Sequence, residues 1–188
     1  MNSDVQSIIA RNDPGRWSRP LARRPKADLP FDPFQVPAGA SLLFDATVYI
    51  DQLKGQLPTS IVNLVSSRTI LHGAPALAEL AVTIGALDPA DRRTHATLIP
   101  IVEMLTRINP SRIIAPSYEV WLEAAVMAGI LARTQAIPKQ DRRRFLNDTL
   151  LFLQAADTRS VMVSRNSRDL DLLLQLKPRA GVLLYDKS

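Results

Sequence analysis

The chain predicts an α/β fold, with a central, mainly parallel sheet covered by helices on both faces. Three observations lead there. Short apolar runs that read as buried strands recur from residue 41 onward, longer stretches with helical spacing lie between them, and turn or capping residues mark the changes. With 188 residues, 46% of them hydrophobic, one domain can build its core without disulfides or structural metals.

Residues 1–40 stand apart as a Pro-rich basic N-terminal arm. Pro14, Pro20, Pro25, Pro30, Pro33 and Pro37 fall here, mixed with Arg11, Arg16, Arg19, Arg23, Arg24 and Lys26. Proline at this density excludes a long helix or a central strand. The expectation is an extended segment with a short helix over Ser3–Ala10. Its cations suit contact with nucleic acid, and equally a solvated or subunit-wrapping arm.

The second region, residues 41–188, reads as alternating strands and helices. Ser41–Phe44 is the first strand and Ile61–Ser67 the following helix. Ile70–His72 is a short second strand, and Pro75–Ala86 a helix with its proline in the first turn. Asp88 then caps a helix running to about Ile108. Arg112–Ala115 forms a strand, and Ser117 caps a helix to about Gln135. Asp141 caps the next helix, through Ala156. Val161–Ser164, Ser167–Gln175 and Val182–Tyr185 complete the pattern as strand, helix and strand.

Composition removes several chemistries. There is no cysteine, which excludes thiolate metal sites and cysteine nucleophiles, and the two imidazoles, His72 and His95, are too few for a multi-histidine site. Any metal must be held mainly by carboxylates, which favours Mg²⁺ or Mn²⁺. No phosphate-cradling glycine motif and no GxSxG elbow occurs. The net charge of +5 suits a polyanionic partner. Without a membrane-length apolar run or a signal-type apolar segment, the expected location is the cytoplasm.

Four acids stand where burial or a strand end is expected. Asp45 ends the run Leu42-Leu43-Phe44, at the sheet edge where open α/β folds bind ligands. Its bland alternative is a helix cap or turn residue. Glu79 is the one charge in an apolar helix that should be largely buried, against the alternative of an ordinary polar edge. Asp148 shares a helical face with Phe145, Leu151, Phe152 and Ala155, while Arg143, Arg144, Asn147 and Gln154 mark the polar side. Asp157 falls near the polar boundary and reads as structural. Asp169 follows the turn Ser164-Arg165-Asn166, close to the same edge as Asp45; taken singly, Asn166 and Asp169 read as a helix cap and a first-turn acid. Two carboxylates ~4 Å apart repel by about 4 kcal/mol at an effective dielectric near 20, so a converging cluster calls for divalent cations. Such a cluster can activate water against a phosphodiester.

The run Leu-Phe-Asp-Ala-Thr-Val-Tyr-Ile-Asp (43–51), Ala-Glu-Leu (78–80), Asn147-Asp148 and Ser-Arg-Asn-Ser-Arg-Asp (164–169) together resemble the PIN-domain nucleases. Within them the chain looks like the VapC-type toxins of bacterial toxin–antitoxin pairs. The resemblance spans roughly residues 42–186 and implies a PIN-like three-layer α/β/α fold. It also implies a Mg²⁺- or Mn²⁺-dependent endoribonuclease, a homodimer, and an antitoxin whose tail blocks the site. Asp45, Glu79 and Asp148 take the positions of the family's core acids. Asp45 and Asp148 would hold the main metal, with Glu79 and Asp169 completing the site; Asp169 is preferred as fourth acid because residue 166 is an amide. Thr47 stands where a hydroxyl can bond the first acid, Asn166 orients, and Arg165 or Arg168 steers the RNA backbone. The chain departs from the family in its long arm, in the Ala-Ile-Pro-Lys-Gln-Asp approach (136–141) to the third acid, and in Leu170 after the fourth. The competing reading is a non-catalytic PIN-like module that binds RNA or a protein partner.

Overall fold

The computed structural model describes residues 2–188. The arm begins with helix α1 (Asn2–Asn12). Then follow β1 (Leu42–Phe44), α2 (Ala46–Leu53), α3 (Thr59–Ser66), β2 (Ile70–Gly73), α4 (Ala74–Ala86) and α5 (Arg92–Arg107). The chain continues through β3 (Ile113–Ile114), α6 (Tyr118–Thr134), α7 (Arg142–Asp157), β4 (Val161–Ser164), α8 (Ser167–Leu176) and β5 (Val182–Leu184). The five strands form one parallel sheet in the order β3-β2-β1-β4-β5. Helices cover it in the three-layer α/β/α arrangement of a PIN-like fold.

Strand β1 is central, with Leu43 opposite Leu71 on one side and Met162 on the other. The chain turns from one half of the sheet to the other across β1 and β4, so the crevice beyond their carboxyl ends is the topological switch point. All three β1 residues are buried, as a strand sandwiched between helix layers requires.

Helix α2 is a departure from the expected pattern, which placed the first helix at Ile61. Thr47, Val48, Tyr49 and Ile50 have weak intrinsic helix preference. Burial decides instead: Val48, Tyr49 and Asp51 pack inward, one turn after Asp45 ends the strand. The α5 start also moves. Asp88 holds a separate turn, accepting from the Ala90 N–H, while Asp91 caps the helix by accepting from the Arg93 N–H. Asp141 sits at the start of α7 but its side chain caps nothing.

Two burial expectations fail. Helix α4 buries only Pro75, Ala76 and Leu80, and Val82 on its outer face is exposed, so an uncharged helix here does not mean an enclosed one. Conversely Gln154, expected on a polar face, is buried with neither amide atom hydrogen-bonded. Helix α7 packs against α4, α6, α8 and β4, which leaves its second half no solvated side. Its approach to β2 depends on Gly73, where a Cβ would lie 2.5 Å from Leu151 Cδ2 and 2.8 Å from Gln154 Oε1.

The arm lies along its own domain. Helix α1 packs on α6 with Ile8 buried, and Arg11 pairs with Glu123 at 2.8 Å. Further on, the Arg24 backbone N–H and Nε both donate to Asp171, and the Leu184 N–H of β5 donates to the Pro30 carbonyl at 2.7 Å. Among the described residues no helix is long and apolar enough to cross a membrane.

Candidate active site

Asp45 leaves β1 with an extended backbone (φ −75°, ψ 157°), anchored by its N–H donating to the Val163 carbonyl of β4. It occupies the N-cap position of α2, but its carboxylate makes no capping bond to the helix. Instead Oδ2 accepts from Ser164 Oγ at 2.5 Å and Thr47 Oγ1 at 2.8 Å. The carboxyl is therefore held by two hydroxyls across the switch point, with its remaining face toward a cavity of about 280 Å³.

Asp45, Thr47, Glu79, Arg144, Asp148, Arg165 and Asn166 line that cavity. Glu79 reaches it from the second turn of α4 and accepts from Asn147 Nδ2 at 3.0 Å. Asp148 reaches it from α7, buried among apolar neighbours as its helical face requires. Asn166 joins the remaining acid: its Nδ2 donates to Asp148 Oδ2 and to Asp169 Oδ2, both at 3.0 Å. The same residue caps α8, its Oδ1 accepting from the Asp169 N–H at 3.2 Å. Its backbone N–H donates to Ser164 Oγ, so one chain of bonds connects Thr47, Asp45, Ser164, Asn166, Asp148 and Asp169.

The electrostatics follow from burial. Burial pushes the Asp45 carboxyl up, against the Ser164 and Thr47 hydroxyls that favour its anion. Burial, and then the charge of Asp45, raises Glu79, with Asn147 opposing. Asp148 is raised well above the ordinary carboxylate range, by burial and then by the repulsion of Asp45, Asp169 and Glu79. Arg144, four residues before Asp148 and so on the same side of α7, partly offsets this charge and pairs with Asp169 at 3.4 Å.

Not every anticipated residue reaches the cavity. Asp169 touches it only through Asn166; its own side chain lines an adjacent pocket, as does the exposed Arg168. Arg165 is present, and its guanidinium is not free: Nε stands 2.9 Å from Asp51, a carboxylate only 1% exposed that also accepts from the Tyr185 hydroxyl. Asp51 and Arg144 are the residues that sequence reasoning missed. Arg144 carried a signal in its i, i+4 spacing to Asp148, whereas Asp51 had none, since its partners are more than a hundred residues away. His72 stays outside, its Nδ1 bonded to the Tyr49 hydroxyl at 2.6 Å, and His95 is exposed.

Among the described residues no three acidic or imidazole side chains already form a ready-made ligand cage. The donors nonetheless fit a hard divalent cation by chemistry: all are oxygens, all carry or share negative charge, and they repel one another across the cavity.

No protein-family model and no curated protein matches the sequence. Solved structures do match in three dimensions. The crystal structure of VapBC2 from Rickettsia felis, bound to a DNA fragment from its promoter, contains a chain that aligns with a TM-score of 0.54 at 15% identity. That alignment covers 78% of this chain and 99% of the other. The fold is the shared one. FitAcB from Neisseria gonorrhoeae aligns with a TM-score of 0.52 at 17% identity, over 76% of this chain and 96% of that one. Both neighbours are covered nearly end to end, while between a fifth and a quarter of this chain lies outside each alignment.

Proposed function

We propose that the chain is a metal-dependent endoribonuclease, hydrolysing RNA phosphodiesters with Mg²⁺ or Mn²⁺, and the toxin of a toxin–antitoxin pair. The observation that carries the reading is the meeting of Asp45, Glu79 and Asp148 on one cavity at the switch point, with Asp169 tied in through Asn166. The toxin role draws on the resemblance to VapC-type toxins and on the fold shared with the VapBC2 and FitAcB structures. A homodimer and a cytoplasmic setting belong to the same reading. The exposed Val82, Ile99 and Val102 on α4 and α5 supply an apolar surface suited to self-association.

Asp45 and Asp148 would be the main cation ligands, with Glu79 and Asp169 completing the set. A bound divalent cation would neutralise these acids, polarise the phosphodiester and make water nucleophilic near neutral pH. The protein's own contribution is positional. Thr47 and Ser164 fix the Asp45 carboxylate, Asn147 fixes Glu79, and Asn166 holds Asp148 and Asp169 in one orientation. Arg144, on the wall of the same cavity, presents positive charge to an entering phosphate, while Arg165 beside it is engaged by Asp51.

Asp45→Asn and Asp148→Asn, each shown to be folded by circular dichroism, are expected to drop Mn²⁺-dependent cleavage of RNA to the metal-free background. Wild-type cleavage that persists in excess EDTA would overturn the reading. One observation favours the rival, a non-catalytic module: the Asn166 amide already satisfies two of the acids without a metal. Calorimetric titration separates the two, since the nuclease requires Mn²⁺ binding that Asp45→Asn removes.

A further inference from the structure

Beside the acidic cavity lies a second pocket of about 340 Å³, lined by Arg23, Arg144, Arg168, Gln135, Asp141 and Asp169, among others. Arg144 belongs to both, so the two are separated by one side chain. We propose that this pocket is a phosphate subsite, in which the arm's Arg23 joins Arg144 and Arg168 to hold an RNA backbone phosphate next to the one at the acids. The choice of ligand rests on the RNA-cleaving reading above.

Four features support an anion there. The side chains of Arg23 and Arg168 have neither a hydrogen bond nor an ion pair among the described residues, so two guanidinium groups line one concavity without a counter-charge of their own. The Gln135 Nε2 is buried and lacks an acceptor. The first turn of α7, a helix of 16 residues, borders the pocket through Asp141, Arg144 and Phe145, and no side chain caps its N-terminus. Finally Asp169 is already paired with Arg144, which leaves the exposed Asp141 as the one unpaired carboxylate on the wall. Three arginines against two acids leave the pocket net positive.

Arg23 is exposed, yet it is not loosely placed. The residue before it, Ala22, accepts from Gln175 Nε2 at 3.0 Å, and the residue after it, Arg24, is bound to Asp171 through backbone and side chain. Both flanks are thus pinned to α8. The backbone at Arg23 is therefore ordered before any ligand arrives, and guanidinium groups match phosphate oxygens bidentately.

The test uses the full chain in EDTA, so that binding is measured without cleavage. A short labelled single-stranded RNA of mixed sequence is titrated by fluorescence anisotropy over a series of salt concentrations. Arg23→Ala and Arg168→Ala should each weaken binding by about three- to tenfold and lower the slope of log K against log salt by about 0.7, the loss of one phosphate contact on a single strand. Arg179→Ala, an equal charge change in an exposed loop away from the pocket, should do neither. If both variants bind as wild type does, or lose no more than Arg179→Ala, the subsite is overturned and its arginines are left for an acidic protein segment. A wild-type chain that binds no RNA overturns it as well. Weakened binding in both variants, beside a wild type that cleaves nothing with Mn²⁺, would uphold the subsite and sink the nuclease reading alone.

Discussion

Two groups of buried and half-buried acids in this chain have been treated in opposite ways. Glu123 and Asp171 are each met by cations of the chain itself: Arg11 and Lys177 for the first, Arg24 for the second. Asp45, Glu79 and Asp148 are met mainly by hydroxyls and amides, with Arg144 giving partial relief from the rim. The consequence appears in their protonation. Burial alone would raise Glu123, but the bonds and charges of Arg11 and Lys177 outweigh it and hold the carboxyl below its ordinary range. The switch-point acids are all pushed the other way. Burial is common to both groups, so it does not mark a site; an unmet charge does.

The largest effect should come from breaking the satisfied group. Arg24→Ala removes the guanidinium paired with Asp171, whose side chain is 3% exposed and keeps the residue-24 backbone N–H and Gln175 Nε2 as donors, and should cost about 3 kcal/mol in urea unfolding, the low end for a broken buried pair. Arg24→Ala combined with Asp171→Asn should recover part of that loss. If Arg24→Ala is neutral, the arm does not neutralise Asp171 and the contrast collapses.

Somewhat smaller is the effect of supplying the missing charge to the other group. Mn²⁺ at a hundred times its dissociation constant should stabilise the wild type by about 2.7 kcal/mol, read as a rise in melting temperature. Arg24→Ala should keep that response, and Asp45→Asn with Asp148→Asn should lose it. An equal rise in the double variant would place the cation elsewhere.

The smallest and most diagnostic difference is in pH dependence. Asp45, Glu79 and Asp148 have folded-state pKa values above their ordinary 3.8, 4.5 and 3.8. Their contribution is fully present below those ordinary values and is lost as pH rises through the raised ones. Glu123 has the reverse sign: its contribution is present above 4.5 and lost as pH falls through its lowered value. In EDTA, Asp148→Asn should therefore flatten the decline of stability on the rising side, and Glu123→Gln the decline on the acid side. Thermal unfolding across the two limbs checks both, and a matching effect of the two variants on one limb would contradict the assignment.

Much of this was legible in the residues. The strands were, because Leu42-Leu43-Phe44 and Val161-Met162-Val163 are short apolar runs that only a doubly covered sheet can bury. Asp148 was, because one helical face places it among Phe145, Leu151 and Phe152. Helix α2 was not, since its β-branched residues argue for a strand and only packing overrules them. Nor was the burial of Gln154, because a helix enclosed on every side has no polar face for periodicity to report. The placement of the arm was hidden for a further reason: its partners Glu123 and Asp171 lie more than a hundred residues along the chain, and no local pattern records them.

The bond between the Pro30 carbonyl and the Leu184 N–H bears on the order in which the molecule can assemble. The arm is made early, but its anchors on α6, α8 and β5 come later in the chain, and the set is complete only at Leu184. With Arg24 and Asp171 147 positions apart, this docking is a high-contact-order event and should come late in folding. On that order, Arg23 would join Arg144 only after the arm has docked. Maturation of the surface next to the acids is in this way tied to completion of the sheet.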